Sequence, residues 1–259
     1  MQPHERITDS LRQANAAGRP GLVAFLTAGH PSPAGFLPAL QAIAAEADVV
    51  EIGVPFSDPM ADGMTIQRAS QSAIAQGVSL RWIFEQLGGR DFEPEAPLLL
   101  MSYLNPLLNF GYERLAARAA EVGVCGFIVP DLPLEESAPL RDALEAQGVG
   151  LVQMVTPATP LARAKVLCEA SRGFVYAVTM TGITGGSRGL PEGVAEYLDR
   201  VSGVSPLPVC AGFGIREPAQ VRLIGEHAAG AVVGSALVEV LEEGADPGVF
   251  LRGLRGQAA

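Results

Sequence analysis

The sequence predicts an α/β chain folded as a single (β/α)8 TIM barrel over residues 1–259. Three observations carry this: eight short apolar runs, helix-patterned stretches between them, and turn formers where the two meet. The length of 259 residues suits one such barrel, which needs about 250. In order, the runs are Leu22–Thr27 (LVAFLT), Asp48–Gly53 (DVVEIG), Pro97–Met101 (PLLLM), Gly126–Val129 (GFIV), Gly150–Val155 (GLVQMV), Gly173–Val178 (GFVYAV), Pro208–Ala211 (PVCA) and Ala231–Gly234 (AVVG). Each is nearly continuous in hydrophobicity, as a strand covered on both faces should be. Between them, Ala34–Ala45, Glu113–Glu121, Glu135–Gln147 and Pro191–Val201 have helical spacing. Repeated strand–helix units with right-handed crossovers close into a barrel. An open doubly wound sheet would need a Gly-rich dinucleotide turn after the first strand, and TAGHPSP is not one. The 30 Gly and 20 Pro are too many for a helix bundle and too dispersed for a low-complexity tail. No domain boundary is visible; the longest interval, Gly53 to Pro97, carries PFSDPMADGMTIQRAS.

Composition excludes several functions. A net charge of −10 argues against nucleic acid, whose phosphates demand a basic surface. It does not exclude a small phosphorylated substrate, because backbone amides can hold an anion locally. Cys125, Cys168 and Cys210 have no short spacing and read as buried free thiols. His4, His30 and His227 are isolated, so no metal site is expected. No apolar run reaches the length of a membrane span, and MQPHERITDSLRQANAAGRP lacks a signal-peptide core. A cytoplasmic protein is expected.

Barrel enzymes work at the carboxyl ends of their strands, which turns the strand list into a site list. Glu51 sits in DVVEIGV among Val49, Val50, Ile52 and Val54. Burial there disfavours its anion and raises its pKa toward neutrality, suiting proton transfer; a Lys or Arg partner is the other reading. Asp62, in MADGM, could reach across the barrel mouth or simply form an Asp-Gly turn. Gly234 and Ser235 lead into an apolar-periodic helix after the eighth run, where free amides and the helix dipole favour a phosphate. Arg216 is the cation nearest these turns, so neutral amides are the expected ligands. Thr181–Gly189 (TGITGGSRG) holds four glycines and reads as a closing lid or an unstructured connection.

These residues resemble the tryptophan synthase alpha subunits. The most specific segment is VEIGVPFSDPMADGMTIQRAS; FLTAGHP, LMSYLNPLLNFG, FIVPDLPLEES, FVYAVTMTGITG, CAGFGI and VVGSALV follow the family's order and spacing. Two positions depart from its pattern: Met64 stands where Pro is usual after ADG, and His30 where Asp is usual in AGDP. The resemblance implies retro-aldol cleavage of indole-3-glycerol phosphate to indole and glyceraldehyde 3-phosphate, without a metal or organic cofactor. It makes Glu51 the main acid/base group and Asp62 the second carboxylate. It places Tyr176 near the reacting groups and Phe25, Leu100, Ile128, Met154 and Phe213 around the indole. Gly185, Gly214, Gly234 and Ser235 match the phosphate cradle, and Thr184 the lid. A beta subunit that joins indole to serine with pyridoxal phosphate is implied as partner, in an alpha2beta2 tetramer, with Asp58 and Asn105 at the interface. Leu104, Leu107, Leu108 and Phe110 would give that rim an apolar character. Another phosphate-binding barrel enzyme, or a barrel kept only to activate its partner, are the alternatives that fold alone leaves open.

Overall fold

The computed structural model describes residues 1–179, 192–212 and 214–257. Its strands are β1 (Gly21–Thr27), β2 (Val49–Gly53), β3 (Leu98–Met101), β4 (Val124–Ile128), β5 (Gly150–Val155), β6 (Val175–Val178), β7 (Val209–Gly212) and β8 (Gly230–Val233). Every neighbouring pair is parallel, and β8 returns to β1, so the sheet closes into the predicted barrel. Each predicted run lies on one strand. The helices are α1 (Pro3–Ala16), α2 (Phe36–Ala44), α3 (Met64–Ala75), α4 (Leu80–Gly89), α5 (Leu104–Phe110), α6 (Tyr112–Glu121), α7 (Ala138–Glu145), α8 (Leu161–Ala170), α9 (Val194–Val204), α10 (Pro218–Gly225), α11 (Ser235–Glu242) and α12 (Pro247–Leu254). Among the described residues no helix is long and apolar enough to cross a membrane.

Side chains alternate along each strand, and this divides the core in two. Val23, Val49, Leu99, Ile128, Val152, Phe174 and Val232 fill the barrel. Leu22, Ala24, Val50, Ile52, Leu98 and Leu100 face the helices instead. Full burial of an aliphatic or phenyl side chain contributes about 1.5–3 kcal/mol, which makes both layers strongly stabilising. The three cysteines are free and buried, with Cys125 and Cys210 inside the barrel.

Helix α1 plugs the amino-terminal end. Gln2 and Glu5 form its capping box, and Pro3 pre-sets the first turn. Its apolar stripe is short, but Ile7 and Leu11 join the barrel interior. Leu11 approaches so closely that a Cβ on Gly21 would lie 2.6 Å from its Cδ2. Beside the plug, Asp48 is 7% exposed and fully engaged. It accepts two bonds from Arg19 at 2.8 Å, one from the Leu22 amide at 2.8 Å and one from Arg255 at 3.0 Å. Helix α12 is thereby fastened to the start of β2, with Arg252 paired to Glu46 alongside.

Candidate active site

Two positions along β2, from Val49 to Glu51, keep the side chain pointing inward but move it from the plug to the open mouth. The register sets Glu51 beside Phe25 of β1 and Leu99 of β3. Glu51 is 1% exposed, and its Oε2 has no hydrogen-bond partner among the described residues. Among the described residues no Lys or Arg pairs with it. Desolvation is the main cause that pushes its pKa up to about 8, and the negative charge of Asp62 adds to it. Glu51 can therefore hold or release a proton near neutral pH.

Asp62 lies in the loop between β2 and α3. Burial raises its pKa too, but the Tyr103 hydroxyl opposes that by donating to Oδ2 at 3.1 Å. The same hydroxyl accepts from the Ala61 amide at 2.8 Å, and the ring stacks on Phe56 with centroids 5.0 Å apart. Gln67 adds a bond to the Asp62 carbonyl at 2.9 Å. The Asp-Gly segment does turn, and the Tyr103 hydroxyl holds the Asp62 carboxylate by a hydrogen bond. Sequence reasoning did not single out Tyr103 for this. Its one visible signal was its place just beyond the carboxyl end of β3.

Tyr176 stands inside the barrel on β6, paired in register with Met154 and Cys210. A Cβ on Gly212 would lie 2.8 Å from its hydroxyl, so glycine there leaves room for the phenol. Burial first, then the charges of Glu51 and Asp62, raise its pKa well above the ordinary value. It remains a neutral O–H group that feels the charges of both carboxyl groups. Ile128 and Met154 share this interior, and Phe25 packs near Met101, Ile66 and Val238. Leu100 requires a correction. It lies in the outer layer against the helices, because period two turns alternate residues away from the barrel. The inward positions of β3 are Leu99 and Met101.

Gly234 begins α11 with no side-chain cap, leaving the first amides of that helix facing the mouth. Gly214, in the turn after β7, has φ of 62°, a left-handed conformation that favours glycine. Arg216 next to it is engaged: it donates to Glu239 at 2.6 and 3.0 Å. Neutral amides at Gly234 and Ser235 thus fit an anion better than a free cation does. Thr184, Gly185 and Phe213 lie outside the described residues, as does the whole of Thr181–Gly189. Among the described residues no three of His, Cys, Asp and Glu converge as metal ligands would.

At the rim, Asp58 and Asn105 are both exposed. The expected apolar face of residues 103–110 is narrower than the sequence suggested. Leu107 is buried, Leu104 and Phe110 pack against the core, and of the four only Leu108 is well exposed, at 58%. Helical spacing explains this, since Leu104 and Leu107 share the inner face of α5. Met60 and Met64, at 81% and 77% exposure, extend the apolar surface on the neighbouring loop.

Fold and site together define a class: a barrel enzyme with a buried carboxyl group suited to acid–base chemistry and uncapped helix-start amides at one side of its mouth. The family model described as tryptophan synthase alpha chain matches residues 11–249. A tryptophan synthase alpha chain of Nitratidesulfovibrio vulgaris (strain DP4) is 45% identical over 248 residues, covering 95% of this chain and 96% of its own. One of Desulfovibrio desulfuricans is 48% identical over 241 residues, covering 92% and 94%. A crystal structure of the tryptophan synthase alpha chain from Legionella pneumophila superposes with a TM-score of 0.86 at 33% identity, covering 99% and 97% of the two chains. The chain belongs to the tryptophan synthase alpha chain family, lyases that cleave indole-3-glycerol phosphate in tryptophan biosynthesis.

Proposed function

We propose that the chain, acting as one barrel domain over residues 1–259, cleaves indole-3-glycerol phosphate with Glu51 as proton donor and acceptor and Asp62 as a fixed anion. The observation that carries this reading is the buried Oε2 of Glu51, without a partner among the described residues, at the carboxyl end of a barrel strand. Neutral Glu51 gives its proton to ring carbon 3. The positive charge that develops on the ring is met by Asp62 at the indole N–H, which Tyr103 holds in place. The Glu51 carboxylate then takes the proton of the adjacent chain hydroxyl. The carbon–carbon bond breaks, its electrons return to the ring, and the hydroxyl carbon becomes the aldehyde. Indole and glyceraldehyde 3-phosphate leave with Glu51 neutral again, so the proton count closes. Two carboxyl groups held in different protonation states perform these two tasks.

Tyr176 orients the ring or the hydroxyl as a neutral donor, while Phe25, Ile128 and Met154 supply apolar walls. The amides of Gly214, Gly234 and Ser235 hold the phosphate, whose binding energy keeps the remote reacting bond in register. Thr184, Gly185 and Phe213 are assigned to the lid, the cradle and the indole wall on the resemblance alone. Purified chain added to indole-3-glycerol phosphate should release indole in amounts matching glyceraldehyde 3-phosphate. No release, with or without a beta subunit, would leave only the role of a binding subunit.

In the cytoplasm the chain pairs with a beta subunit as an alpha2beta2 assembly. Asp58, Asn105, Met60 and Leu108 lie on the surface where indole would pass to that partner. A matched beta subunit should accelerate cleavage, and Asp58→Ala or Asn105→Ala should reduce that acceleration more than the isolated rate. An unchanged rate on adding beta subunit would mark the chain as a free-standing lyase.

A further inference from the structure

Helix α11 carries two carboxylates one turn apart, Glu239 and Glu242, that the proton chemistry does not use. Both touch α3, and each also reaches one further part of the mouth. Glu239 accepts from Arg216 at 2.6 and 3.0 Å, and from the Thr65 hydroxyl at 3.2 Å. Glu242 accepts from Arg68 at 2.7 and 3.2 Å, and its Oε1 meets Nε2 of His30 at 3.0 Å. Arg216 follows Gly214 in the β7 turn, and His30 stands in the loop after β1. Thr65 and Arg68 lie on the first turns of α3, immediately beyond the Asp62-Gly63 turn. Three separate elements therefore meet on one helix, whose own N-terminus is half of the phosphate cradle. His30 is buried with its Nδ1 unpartnered, so Glu242 is its polar anchor among the described residues.

Exposed ion pairs add little to folding stability. Their value here is geometric, because bidentate Arg–carboxylate contacts fix orientation. We propose that Glu239 and Glu242 are positioning residues for the cleavage: Glu239 fixes the Gly214 turn to the N-terminus of α11, and Glu242 fixes α11 to α3, the helix that the Asp62 loop leads into. The distance between the phosphate anchor and the Asp62 carboxylate is set through this helix. The proposal rests on the phosphate reading given above. It reaches beyond that reading by assigning separate tasks to two side chains that do not touch substrate.

The two ties have separable signatures. Glu239→Gln loosens the cradle, so KM for indole-3-glycerol phosphate and Kd for inorganic phosphate should rise together, by about 10-fold; a 1 Å misplacement can cost ~100-fold. Glu242→Gln leaves the cradle intact and frees α3, so kcat should fall several-fold while phosphate Kd stays at the parent value. The exchanged pair Arg216→Glu with Glu239→Arg should bring KM back toward the parent. Melting temperatures are measured alongside. Parent-like kinetics in both single variants would overturn the proposal. So would tighter phosphate binding in Glu239→Gln, which would mean that Glu239 merely restrains Arg216. Losses in kcat and KM that only track a lowered melting temperature would reduce both residues to structural ones. Gly234→Asp separates the two layers of the argument. If it leaves phosphate Kd unchanged, the cradle reading falls; if it weakens phosphate while both glutamine variants behave as parent, only the positioning proposal falls.

Discussion

Asp48 and Glu51 lie three residues apart, at the start of β2 and within it, and both are buried. Asp48, at the amino-terminal end, has every neighbour a carboxylate could want: Arg19, Arg255 and the Leu22 amide. Glu51, at the carboxyl end, leaves Oε2 unsatisfied among the described residues and has its pKa pushed up to about 8. Strand β2 and the residue just before it thus hold a carboxyl group kept for chemistry and a carboxylate spent on stability. The difference shows how a barrel separates these functions by end: the plugged end can satisfy its charges, while the open end keeps one unpaired and reactive.

The comparison breaks most sharply at Glu51. Glu51→Gln keeps the shape but cannot exchange a proton, so cleavage should fall by ~10²–10⁴-fold while phosphate binding persists. Its stability should diverge from the parent with a definite sign. Because the folded-state pKa of Glu51 is raised, the parent gains from the bound proton below the unfolded value near 4.5. That contribution fades as pH rises, and is lost through about 8. Relative to the parent, the glutamine variant should therefore gain a few kcal/mol between those limits, read by denaturant unfolding at each pH. A constant difference across that range would remove the desolvation argument.

The opposite substitution tests the opposite end. Asp48→Ala strands Arg255 and the Leu22 amide, and should cost about 3 kcal/mol of stability, at the low end for buried pairs because Arg19 is partly exposed. Turnover per folded molecule should not change. A large loss of turnover with little loss of stability would erase the division between the two ends. Tyr103→Phe sharpens the picture at the mouth: it removes one bond to Asp62 and the acceptor for Ala61. A neutral-to-charged hydrogen bond is worth about 1.5–3 kcal/mol, so kcat should fall ~10-fold or more with KM little affected.

The barrel itself was legible because strands buried on both faces leave continuous apolar runs, and each predicted run lies on a strand of the structure. Glu51 stood out for the same reason, as a charge inside such a run. Leu100 was misplaced because a continuous run does not show which residues point inward; only the closed sheet fixes that parity. Helix α1 gave little signal as a plug, since its polar surface hides a stripe as short as Ile7 and Leu11. Tyr103 and the α11 carboxylates were illegible for another reason. Their partners are between 23 and 212 residues away, and no local pattern records such contacts.

The account stands most directly on the pH dependence of kcat/KM for indole-3-glycerol phosphate cleavage, measured for the parent and for Glu51→Gln. With neutral Glu51 as the proton donor, parent activity should hold at neutral pH and fall as pH rises through about 8. The residual activity of the glutamine variant should show no break there. A parent profile flat through that region, or the same break retained in Glu51→Gln, would assign the proton to another group and contradict the account.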